Sequence, residues 1–155
     1  MPSTETPAGI ELYYEAVGDL TDPALLLVMG YGSQMIAWPR AFSEALAAGG
    51  RFVIEFDNRD SGLSSKLDGV EVDMGTLVAA AQAGEADRVA AIAPYTLSDL
   101  ADDCVAVLDA LEIDRAHVLG ASMGGMIAQQ AAIEHPDRLL SLTSMFSNTG
   151  EPGVG

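Results

Sequence analysis

A short apolar run, Ala116-His117-Val118-Leu119, ends in Gly120-Ala121-Ser122-Met123-Gly124, and an Ala-rich stretch of helical period follows without a gap. Strand, sharp turn and helix in that order put Ser122 at the apex. A serine on so tight a bend has a strained backbone, so the residues two positions either side must be small. Gly120 and Gly124 meet that need, and the pattern is G-x-S-x-G. The bend pushes the hydroxyl out past the carboxyl edge of a sheet, beside the first unpaired N–H groups of the helix. Negative charge is favoured there, which suits an alkoxide or a tetrahedral oxyanion and reads Ser122 as a nucleophile. A plain strand–helix turn with a helix-capping serine fits the pentapeptide as well, since short motifs recur by chance. A phosphate cradle fits worse: Gly120 to Gly125 is neither G-x-G-x-x-G nor a P-loop with its lysine.

A serine hydroxyl is a weak nucleophile until a base takes its proton. The chain holds two histidines. His117 precedes Ser122 by five residues on the same strand, about 16 Å away at its far end. His135 closes the helix that starts at the bend, about 18 Å along its axis. A working base comes within about 3 Å or acts through one water, so both histidines read as surface or helix-end residues.

The elements that must position Ser122 can be read in order. Residues 1–8 look like a loose leader. Ile10 to Val17 alternates as an edge strand does, closed by Gly18-Asp19 and Asp22-Pro23. Ala24 to Met29 is continuously apolar, as a strand covered on both faces is, and ends in Gly30-Tyr31-Gly32. A helix is expected from near Trp38 to Gly49-Gly50, with Pro39 in its first turn and Phe42, Ala45 and Leu46 on one face. Arg51 to Asp57 is the next buried strand and feeds the polar turn Asn58 to Ser64. Residues 65–95 suggest short helices around Met74–Ala83 and Glu85–Ile92. From Thr96, which with Asp99 resembles a capping box, Leu97, Leu100, Cys104, Val107, Leu108 and Leu111 recur at helical spacing. Leu139 to Phe146 is a last strand. Strands alternating with helices predict an α/β fold, a mostly parallel sheet with helices on both faces. Ligands of such sheets lie at the strands' carboxyl ends. The Gly30-Tyr31-Gly32 loop, the Asn58–Ser64 turn and the Ser122 bend all converge there.

Composition narrows the function classes. Seven basic against 23 acidic residues leave a net charge of −16, which repels phosphate backbones and anionic membranes and argues against nucleic-acid binding. No apolar run is long enough to span a bilayer, and the first residues lack the basic start and apolar core of a signal peptide. Cys104, the only cysteine, reads as a small core residue. A cytoplasmic setting is the expectation.

Three motifs in order, Met29-Gly30-Tyr31-Gly32, Asp57-Asn58-Arg59-Asp60-Ser61-Gly62-Leu63-Ser64 and the Ser122 pentapeptide, resemble the N-terminal half of an α/β-hydrolase. The second is similar to that family's D-x-R-x-x-G-x-S stretch. Met-Gly in the first is similar to the esterase branch that includes aclacinomycin methylesterase. The resemblance implies cofactor-free, metal-free hydrolysis of a small-molecule carboxylic ester through a Ser122 acyl-enzyme. Thioester, lactone or C–C bond cleavage uses the same machinery. It further implies an oxyanion hole from the Met123 and Tyr31 backbone N–H groups, with Gly30 and Gly32 allowing close approach. Arg59 is expected to brace neighbouring loops, and Tyr31, Trp38 and Met123 to line an acyl pocket. In the family the acid and the histidine come from later strands; Glu151 or Asp60 are weak substitutes for the acid. The reading is therefore residues 9–155 as the N-terminal portion of one domain, a partial fold lacking its last strands and helices. Residues 65–95 would be a lid-side insertion, with Met74, Leu77, Val78 or Tyr95 facing the pocket. An apolar strand left at an edge invites self-association or pairing with a complementary C-terminal half. The competing reading is a catalytically inert half-domain or assembly module that needs such a partner.

Overall fold

A computed structural model describes residues 2–149. Among them six strands form one sheet in the order β1-β2-β4-β3-β5-β6, with β1 at Ser3–Glu5, β2 at Glu11–Val17, β3 at Ala24–Val28, β4 at Phe52–Phe56, β5 at Ala116–Ala121 and β6 at Leu139–Met145. The first two strands run antiparallel to their neighbours, and β4, β3, β5 and β6 are mutually parallel. The chain leaves β3 for β4 on one side, then crosses to β5 on the other, so the carboxyl end of β3 is where the connections diverge. A crevice opens at such a point.

The central strands are as apolar as burial on both faces demands: every residue of β3 and β4 is buried. One face is covered by α4 (Leu97–Ala110) and α5 (Met123–Glu134), whose Leu100, Cys104, Val107, Leu108, Ile127 and Ala128 close over Leu12, Leu26, Ile54, Phe56 and Val118. The expected capping box is present: the Thr96 hydroxyl accepts from the Asp99 N–H, and the Asp99 carboxylate accepts from the Thr96 N–H at 2.7 Å. Cys104 is buried there, and burial pushes its thiol far above the usual range.

The other face is covered by α1 (Arg40–Ala48) over Leu25, Leu27 and Val53. The helix starts two residues later than expected because Met35–Ala37 first makes a 3₁₀ turn and Pro39 becomes the capping residue. Its inner face is Phe42, Ser43, Leu46 and Ala47, while Ala45 is exposed. Ser43 faces inward because Glu55 is there. The Ser43 hydroxyl donates to that carboxylate, and burial pushes the Glu55 carboxyl above its ordinary range.

Ser3–Glu5 corrects the expectation of a loose leader. A turn through Pro7 and Gly9, closed by Gly9 N–H to Thr6 oxygen at 2.9 Å, folds it back antiparallel onto β2. β2 is therefore flanked on both sides and is not the edge. The short helices of the 65–95 excursion, α2 (Met74–Gln82) and α3 (Ala86–Ile92), lie within a residue of their expected limits. At the opposite edge, β6 pairs only with β5 among the described residues, and Leu140, Leu142 and, just past it, Phe146 are exposed at 45%, 39% and 91%.

Candidate active site

Ser122 sits between β5 and α5 with φ 57° and ψ −123°, a region that L-residues enter only under constraint from their surroundings. The constraint is visible. The Ser122 N–H donates to the Met145 oxygen of β6 at 2.9 Å, and its own oxygen accepts from the Gly125 N–H at 2.9 Å. A side chain at Gly120 would run into the backbone of Gly124 and Gly125, and one at Gly124 into the carbonyls of Val28 and Met29. Both glycines are required by backbone contact, one within the bend and one between helix and β3. The Ser122 side chain is exposed and caps no helix N–H. That removes the helix-capping reading.

The first loop lies directly against this bend. A Cβ at Gly30 would come within 2.9 Å of the Ser122 Cβ and 3.4 Å of the Met123 nitrogen. Gly30 to Ser33 is a turn closed by the Ser33 N–H on the Gly30 oxygen at 3.2 Å, with Gly32 at φ 67° supplying its left-handed residue. Among the described residues neither the Tyr31 nor the Met123 backbone N–H has an acceptor. Gly30, Tyr31, Gly32, Asn58, Arg59, Asp60, Tyr95 and Met123 all line one cleft of about 140 Å³.

The motif of the post-β4 turn suggests bracing but does not show which groups the turn holds. Three of its side chains hold the first loop: Asp57 accepts from the Met35 N–H at 2.7 Å, Asn58 Nδ2 donates to the Met29 oxygen at 2.9 Å, and the Ser61 hydroxyl donates to the Ser33 oxygen at 3.0 Å. A side chain at Gly62 would strike the Asp57 carboxylate, which also accepts from the Leu63 N–H at 2.8 Å. Arg59 ties the turn to α4. Its Nε and Nη2 each donate to a carboxylate oxygen of Asp103 at 2.7 Å, and Nη2 also reaches the Asp99 oxygen at 3.0 Å. The hydrogen bond to Asp103 holds the guanidinium further up its ordinary range. The Asn58 Oδ1 is buried with no partner among the described residues.

Other expectations fall elsewhere. Trp38 does not line the cleft; it is buried under α1, stacked on Phe42 at 5.7 Å, because the 3₁₀ turn swings it onto the opposite face of the sheet. Met74 and Val78 are exposed at 59% and 47%, and of the four lid residues named only Tyr95 reaches the cleft. Asp60 lies at the cleft with its carboxylate taken by the Leu67 N–H at 3.2 Å, and Glu151 lies outside the described residues. The histidines are engaged far from the bend: His117 with the Ser141 hydroxyl at 2.7 Å and His135 with Asp102 at 2.8 Å. Among the described residues, no imidazole stands at Ser122, and no helix is long and apolar enough to cross a membrane.

Comparison with known proteins agrees with the fold. Residues 23–153 match the model of the alpha/beta hydrolase fold. The chain is 40% identical over 137 residues to a rhodomycin D methylesterase of Streptomyces sp. (strain C5), covering 88% of this chain and 39% of that protein. It is 29% identical over 135 residues to 3-oxoadipate enol-lactonase 2 of Acinetobacter baylyi, covering 87% and 41%. Its backbone superposes on a hydrolase from Pseudomonas aeruginosa PA01 with a TM-score of 0.68 at 31% identity, covering 89% of this chain and 42% of the other. The chain thus spans about two-fifths of the length of such relatives. From the strand order, the bend at Ser122 and these matches together, the chain belongs to the α/β-hydrolase fold family.

Proposed function

We propose that this chain carries the nucleophile and oxyanion hole of a serine hydrolase acting on carboxylic esters. The base and acid that complete it come from outside the described residues. The observation that carries the reading is the Ser122 backbone, held at φ 57° with an exposed hydroxyl that caps nothing. Attack of that oxygen on an acyl carbon moves charge to the former carbonyl oxygen. The unengaged N–H groups of Met123 and Tyr31 are the donors available to hold it. The methylesterase and enol-lactonase resemblances support ester chemistry over other uses of the fold.

The exposed β6 edge favours a second reading, in which the chain is a catalytically inert half-domain or assembly module whose edge pairs with a complementary segment or a second copy. One experiment separates the two. The chain is treated with a fluorophosphonate probe, alone and with a supplied C-terminal half, beside Ser122→Ala. Labelling at Ser122 that the variant abolishes supports the hydrolase; no labelling in either condition leaves the inert half-domain.

A further inference from the structure

The cleft beside Ser122 is small, at about 140 Å³. A second pocket of about 370 Å³, more open to solvent, adjoins it and is lined by Val89, Ala90 and Ala93 of α3 and its exit, and by Leu97 at the start of α4. Tyr95 lines both, so the two meet at that residue. Tyr95 is held in place by its neighbours. The Arg59 guanidinium lies 5.9 Å from the ring centroid and is itself gripped by Asp103. The ring packs against the core beneath α4, and the next residue, Thr96, is locked in the capping box. Besides Glu85, Thr96 and Tyr95, the second pocket offers methyl, isopropyl and isobutyl groups, which favour hydrocarbon.

Resting on the Ser122 reading above, we infer that the α3–α4 pocket is a subsite for the hydrocarbon arm of a carboxylic ester, entered past Tyr95, and that Tyr95 excludes arms branched at their first carbon. This gives the 65–95 excursion a role in substrate choice. The arm can belong to the acyl or to the alkoxy side of the ester, and the two arms of the test tell these apart.

The test uses the full chain as Ser122→Ala, titrated by NMR with methyl esters from butanoate to octanoate and with acetates from butyl to octyl. Along one series affinity should tighten about fourfold per added methylene until the pocket is full, with amide shifts at Ala93 and Leu97 growing in step. Ala90→Trp, at a solvent-exposed position, should flatten that series to within about twofold. Tyr95→Ala should gain about tenfold or more for an ester whose arm is branched at its first carbon. Equal affinities along both series, or a gradient unchanged by Ala90→Trp, overturn the subsite. Because Ser122→Ala cannot be acylated, the two ideas fail separately: a gradient with no phosphonylation of the parent chain, alone or with a supplied C-terminal half, sinks the hydrolase alone, and phosphonylation without a gradient sinks the subsite alone.

Discussion

The buried fork between Arg59 and Asp103 gives a quantitative handle on how the site is held. Asp103 is fully buried and Arg59 is 8% exposed, with both guanidinium–carboxylate hydrogen bonds at 2.7 Å. Asp103→Ala leaves the guanidinium with the Asp99 carbonyl at 3.0 Å and a half-exposed Asp99 carboxylate at 3.7 Å. A cation stripped of its buried partner costs about 3–5 kcal/mol, a large part of the roughly 5–15 kcal/mol that holds a domain folded. For a chain of this length that is a fall in Tm of roughly 6–20 °C. Thermal or urea unfolding followed by circular dichroism measures it. The decisive control is Arg59→Met with Asp103→Leu, which removes both charges. Since desolvation offsets most of the attraction in such a pair, the double variant should regain more than half of what Asp103→Ala loses. Amide exchange adds a local readout: with α4 no longer anchoring the turn, the Met35 and Leu63 N–H groups held by Asp57 should exchange faster than those of β3. A loss below about 1 kcal/mol, the scale of a solvated surface pair, or a double variant as unstable as the single one, refutes the reasoning.

Two further perturbations test the sheet and the bend. Gly124→Ala drives a methyl into the Val28 and Met29 carbonyls of a central strand, which cannot yield cheaply. Unfolding should show a loss of about 1–3 kcal/mol, and whatever fluorophosphonate labelling Ser122 supports should fall with it. Glu55 makes a signed prediction. Burial holds its folded pKa above the ordinary value, so between the two the folded chain binds more protons than the unfolded one and stability declines as pH rises. Glu55→Gln should therefore be more stable than the parent at pH 7, with the gap closing as pH drops below the ordinary carboxyl range of about 4. A variant less stable at pH 7 and unchanged in acid would show that the Ser43 hydrogen bond outweighs burial.

What was legible in the chain was what is local. The bend at Ser122 is written in five consecutive residues because its demands, two small neighbours and an apolar run before it, are met within one turn of chain. β3 and β4 were equally plain, since burial on both faces leaves unbroken apolar runs. β1 was not: Ser3–Glu5 is polar throughout and becomes a strand only because β2 offers an unpaired edge. Trp38 went to the wrong place because an apolar ring near a loop carries no label for which face of the sheet it will meet.

The Arg59–Asp103 fork joins residues 44 apart, and no spacing announces such a pair. Yet a trace existed. Asp103 falls among Leu100, Cys104 and Val107 on the apolar stripe of α4, where all four are buried, and a carboxylate there must find a cation or lose its charge. Arg59, two residues past Asp57, lies in the loop that leaves the carboxyl end of β4, which the parallel topology brings toward the start of that helix. A charged residue on an apolar stripe is thus the better sequence clue to what positions a site, because burial forces it to find a partner that the glycines of the bend never need.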